Sequence, residues 1–135
     1  MKVRAFALLL ATAGLVAVLH AQKPAASGGP ALRASLLADL KARNEEVGGL
    51  LTSGGFGGIW FPALQAKDIA LDLQKQGPTS GPQSAALEEQ VKHLVVAAYE
   101  LDRDGDLGDK QKITEAYDRF NAAITAIRAV FGAKP

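Results

Sequence analysis

Ile113, Tyr117, Phe120, Ile124, Ile127 and Phe131 step through the C-terminal part of this chain by four, three, four, three and four residues. At 3.6 residues per turn that alternation keeps six large apolar groups on one side of an α-helix. A helix over residues 109–131 is about 35 Å long and cannot stand alone in water with such a seam exposed. Other helices must cover it. Glu115 and Arg119 fall at i,i+4 on its outer side, and Gly132 sits where a helix C-cap takes a positive φ.

The rest of the chain offers three further helices. Leu32, Leu36, Leu40, Val47 and Leu51 recur at helical spacing from about Ala31, with Arg33, Asp39, Lys41, Arg43, Glu45 and Glu46 on the other sides. This helix is expected to weaken at Gly48-Gly49 and to end by Ser53, where Gly54 and Gly55 can take a positive φ. A second spans about Ile59–Gln76, with Ala66, Ile69, Ala70 and Leu73 on one side and Pro62 confined to its first turn. After the turn-rich segment 77–83, Ser84 is a candidate N-cap for a third helix ending near Arg103. Its apolar stripe is Leu87, Val91, Leu94, Val95, Ala98 and Leu101, and residues 102–109 are read as the next turn.

No segment carries a strand signal. Four helices with short connections predict an all-α, antiparallel four-helix bundle over residues 31–132, with 133–135 as a tail. A shift of fifty residues aligns Leu37 with Leu87, Leu51 with Leu101, Gly55 with Gly105, Gly58 with Gly108, Ala66 with Ala116 and Asp68 with Asp118. Two similar helical hairpins would follow from it.

At the other end, Lys2 and Arg4 precede an apolar run from Phe6 to Leu19, and Leu19-His20-Ala21 before Gln22 makes a small-residue cleavage site. This is the layout of a secretory signal peptide over residues 1–21. The run falls short of the roughly 20 residues that a spanning helix needs, so no transmembrane span is expected after cleavage. Residues 22–30, QKPAASGGP, read as a flexible leader. The expected location is periplasmic or secreted.

Cleavage leaves 114 residues, enough for one compact domain. Lys2 and Arg4 go with the signal, so 13 basic residues face 14 acidic ones and the formal charge becomes −1. Without a basic field or a stripe of Arg and Lys among aromatics, nucleic acid is not an expected partner. There is no cysteine, hence no disulfide and no thiolate metal site; the only methionine and His20 also leave, making His93 the sole histidine.

Three places invite a functional reading. Asp102, Asp104, Asp106 and Asp109 are close enough in sequence to converge on a hard cation such as Ca²⁺. The twelve-residue calcium loop does not fit them in either register, and the plain alternative is a solvated turn whose Asp106 or Asp109 caps the last helix. Phe56, Trp60 and Phe61 lie in the glycine-rich stretch GGFGGIWFP, either as an exposed contact for a partner or as rings that close the end of the bundle. His93 lies about 130° from the centre of its helix's apolar stripe and should point outward. No nucleophile elbow, no HExxH and no paired carboxylates on a buried face are present, so catalysis is not expected.

An alanine-rich chain of this size, with an export signal, two helical hairpins and a long final helix bearing Tyr117, Phe120, Ile124 and Ile127, resembles the periplasmic four-helix cytochromes of the cytochrome c-prime type. The resemblance covers most of residues 31–131 and is one of size and helical pattern. That family attaches haem through Cys-x-x-Cys-His near the end of the last helix, where this chain has Ala-Ile-Thr-Ala-Ile at residues 123–127. Its non-covalent relatives use Met and His ligands. The resemblance therefore implies the scaffold, and no haem-binding residue carries over. The expected function is an exported, cofactor-free bundle that binds an envelope protein or a small ligand; the alternative is a metal- or haem-associated envelope protein.

Overall fold

A computed structural model describes residues 29–133; the signal-peptide reading, nearly all of the leader and the last two residues of the tail lie outside the described residues. The chain forms α1 (Pro30–Ser53), α2 (Trp60–Gln76), α3 (Pro82–Leu107) and α4 (Lys110–Val130), with a short 3-10 turn at Phe56–Gly58. No strand occurs among the described residues, and no helix there is long and apolar enough to cross a membrane. The all-α four-helix bundle expected from the apolar spacing is the fold.

Pairwise contacts fix the directions of the helices. The Arg33 guanidinium lies over the Phe131 ring at 5.5 Å, Asn44 Nδ2 donates to Asn121 Oδ1 at 2.6 Å, and Gly48 abuts the Tyr117 hydroxyl. Moving forward along α1 is thus moving backward along α4. Arg33 Nη2 donates to the Gln76 carbonyl and Arg43 Nη1 to Gln65 Oε1, both at 2.9 Å, which sets α1 antiparallel to α2. On the next side, Lys67 Nζ lies 5.8 Å from the Tyr99 ring centre while Gly105 packs on the Phe56 carbonyl. Each helix packs on its successor, and α4 returns to α1 to close the ring.

Inside the ring, α1 supplies Leu40 and Val47, and α2 supplies Ala63, Ala66, Ala70 and Leu73 next to Ile59. The α3 stripe is buried at Leu87, Val91, Leu94, Ala98 and Leu101, with Val95 partly covered at its edge. Of the α4 seam, Ile113, Phe120, Ile124 and Ile127 are buried, while Tyr117 and Phe131 are half-buried against α1. Leu32 departs from its expected core position and is 39% exposed, because it lies in the first turn of α1, at the end of the bundle.

Several boundaries differ from the sequence reading, each through a glycine or proline. Gly48-Gly49 does not weaken α1: a Cβ at Gly48 would stand 2.6 Å from Tyr117 Oη, so its bareness admits the tyrosine. Pro82 starts α3 ahead of Ser84, and the carbonyl of Gly81, not a serine side chain, receives the Ser84 and Ala85 amides. At its far end α3 continues to Leu107, so the expected turn at residues 102–109 is mostly helix. Gly105 is no breaker, since a Cβ there would meet the Phe56 carbonyl oxygen at 2.8 Å. Gly132 takes a positive φ (71°) after α4, as its position suggests, and the left-handed caps of the two hairpin turns are Gly54 (φ 77°) after α1 and Gly108 (φ 67°) after α3. They lie fifty-four residues apart, so the fifty-residue register does not superpose the two turns.

Two alanine substitutions separate these glycine roles. Gly105→Ala should lower unfolding free energy by about 1–3 kcal/mol, because the new methyl strikes backbone that cannot rotate away. Gly49→Ala has open space around its Cβ and should raise it by about 0.5–1 kcal/mol. Denaturant titration of both variants measures the contrast, and effects of the same sign would refute it.

Candidate functional site

The acidic run is distributed by the helix that contains it. Asp102 and Asp106 share one side of α3, and Asp104, about 200° from each, faces the other way. Asp104 is 2% exposed, and its two oxygens accept from Arg103 Nε at 2.8 Å and Nη2 at 2.9 Å. Asp109 caps α4, accepting the Lys112 amide at 3.2 Å. The four carboxylates therefore do not converge. Among the described residues, no group of three or more His, Asp or Glu side chains is placed to hold a metal ion. Arg103 hydrogen bonding holds the Asp104 carboxyl below its ordinary pKa despite the opposing effect of burial, and the Lys112 amide does the same for Asp109.

The aromatic stretch divides. Phe56 is half-buried and packs on the core, closing the bundle end as the compact reading expects. Trp60 and Phe61 are 44% and 47% exposed and meet each other edge to face, ring centres 5.5 Å apart. Ile59 and Ala63 take the inward positions at the start of α2, and the next residues after Ile59 rotate by about 100° and 200° away from the core. Of the three aromatic residues, Trp60 and Phe61 are on the surface and Phe56 lies half-buried against the core.

His93 is exposed, as its place on the helix predicts. It does not stand on a bare surface, however. Gln90, His93, Val96 and Ala97 of α3 and Arg119, Ala122 and Ala123 of α4 line an open groove of about 360 Å³. The groove exists because the large side chains of both helices point into the bundle while alanines occupy the flanks where α3 meets α4. Ala97 and Ala123 form a buried floor; Val96 is exposed along the α3 wall.

Arg119 stands at the groove's edge, its Nε and Nη2 donating to Glu100 Oε2 at 3.2 and 2.8 Å. Those two bonds engage one edge of a guanidinium that carries five N–H donors. Among the described residues, no carboxylate lines the groove itself. Spacing within α3 alone places His93 outward but does not mark this site, which depends on α4 residues more than twenty positions away. Its signal was the pairing of Ala97 with Ala122 and Ala123 beside a histidine and an arginine.

Other concave regions are more polar. The α1–α2 hollow, about 420 Å³, is lined by Asp39, Arg43, Gln65, Asp68 and Ile69, and Arg43 there is tied to Gln65 and Glu46. Arg33 crosses the hollow at the bundle end to reach the Gln76 carbonyl. No protein-family model, curated protein or solved structure matches this chain.

The lowered Asp104 pKa has a defined consequence for stability. The carboxylate's pairing stabilises the fold above about pH 4 and is lost as pH falls through the folded-state pKa. Asp104→Asn should melt below the wild type at pH 7, and the gap should narrow as pH falls below the ordinary carboxylate range and through the lowered folded-state pKa. Melting curves across that range test it; a gap independent of pH would remove the carboxylate from the account.

Proposed function

We propose that this chain is an exported, cofactor-free helical-bundle binding module, with the α3–α4 groove as its ligand seat. The groove carries the reading. Its volume of about 360 Å³ is that of a small-molecule site, and it joins an apolar floor to a few polar groups at the margin. Export rests on the signal-peptide pattern of residues 1–21.

Between the groove and the Trp60–Phe61 pair, the groove is the stronger seat because it encloses its occupant on more than one side. A haem- or metal-associated role, the alternative implied by the cytochrome resemblance, would have His93 as its one imidazole among the described residues. The four aspartates that could have joined it are spread over α3 and the α4 cap.

Amide NMR with 1-octanol, a neutral apolar probe, tests the reading. Saturable shifts should concentrate on residues 90–97 and 119–123 and vanish in Ala122→Phe, whose exposed position lets the ring fill the groove without entering the core. Shifts scattered over the surface, or unchanged in a folded Ala122→Phe protein, would overturn it.

A further inference from the structure

The groove's lining points to a ligand class, an inference that rests on the binding-module reading above. Its polar members are an arginine, a histidine and a glutamine, its other members are Val96 and three alanines, and no acid is among them. A purely apolar occupant would leave the guanidinium of Arg119 beside it without a new partner. A cationic occupant would meet like charge.

The antiparallel register of α3 and α4 orders these groups along the groove. Glu100 pairs with Arg119, so Arg119 stands level with the C-terminal end of the α3 wall, near Ala97. Gln90 marks the other end, and the two alanines of α4 lie between. The seven helical steps from Gln90 to Ala97 span about 10 Å, the extent of about eight carbons in an extended chain. An arginine at one end of a mostly apolar trough of that length, with His93 and Gln90 toward its far end, matches a molecule with an anionic head and a hydrocarbon body.

We propose that the α3–α4 groove binds amphiphilic monocarboxylates, with the carboxylate on Arg119 and the hydrocarbon over Ala97, Ala122 and Ala123. The carboxylate accepts from the guanidinium while Glu100 holds the opposite edge, so Glu100 orients Arg119 and also competes for it. Removing Glu100's charge should therefore strengthen binding, and removing Arg119's should weaken it. Opposite signs from two residues in one ion pair are not expected of a merely apolar groove.

Calorimetric titration of the full chain with octanoate, 1-octanol and acetate tests this. Octanoate should bind about tenfold more tightly than octanol, the worth of one charge-assisted contact, and acetate should fail to bind. Arg119→Gln should abolish octanoate's advantage over octanol, while Glu100→Gln should tighten octanoate severalfold and leave octanol unchanged. Both substitutions lie on exposed or half-exposed side chains, and unchanged melting confirms that each variant is folded. If octanol binds as well as octanoate, the carboxylate assignment fails while the groove stands as a seat; if acetate matches octanoate, the hydrocarbon contributes nothing and the amphiphile assignment fails. If none of the three binds, both fail.

Discussion

Ile113, Ala116, Phe120, Ile124 and Ile127 form a ridge along α4 that is 1% exposed or less at every step, and the rest of the bundle is arranged to cover it. Each large side chain of this kind contributes about 1.5–3 kcal/mol when taken out of water, so the ridge is a major source of stability. Because α4 follows α3 after a single capped turn, α3 is its first cover; α1 closes the other flank in reverse direction. The contacts of Arg33 with Phe131, Asn44 with Asn121 and Gly48 with Tyr117 then set the register of α1 on α4. Gly48 matters here through its missing side chain, which is what permits the half-buried tyrosine ring to lie against α1.

Small residues do two different jobs around this ridge. In α2, Ala63, Ala66 and Ala70 are fully buried and bring the backbone close to the core. On the α3–α4 flank, Ala97, Ala122 and Ala123 leave space that no side chain of the bundle fills, and the groove results. The same substitution of small for large thus closes one interface and opens another, according to whether a facing side chain is present to occupy the gap. With Arg119 beside the opening and Glu100 steadying it, the open interface also acquires chemical character.

The helices were legible because apolar spacing reports which face each one buries, and the α3 and α4 stripes lie where that spacing places them. Glycine was the weak point. Gly49 and Gly105 carry the same local signal as the true caps Gly54 and Gly108, yet they lie inside helices. In Gly105 the difference comes from a tertiary neighbour, the Phe56 carbonyl, which local spacing cannot register. The acidic run is mostly helix for that reason, and a helix makes its carboxylates diverge. Phe56 and Trp60 show the same limit: one ring turns in and one turns out according to where the 3-10 turn ends and α2 begins. The groove needed two helices at once, so His93 could be placed facing outward while its neighbours across the gap stayed unread.

The α4 ridge holds the four helices together, and Ile124 is one of its fully covered members. Thermal unfolding followed by circular dichroism, comparing Ile124→Asp with Val96→Asp on the outward side of α3, tests it most directly. A carboxylate at the buried position has no partner there, so Ile124→Asp should lose cooperative unfolding while Val96→Asp keeps the wild-type transition. A soluble, fully helical Ile124→Asp protein with unchanged melting would contradict the account.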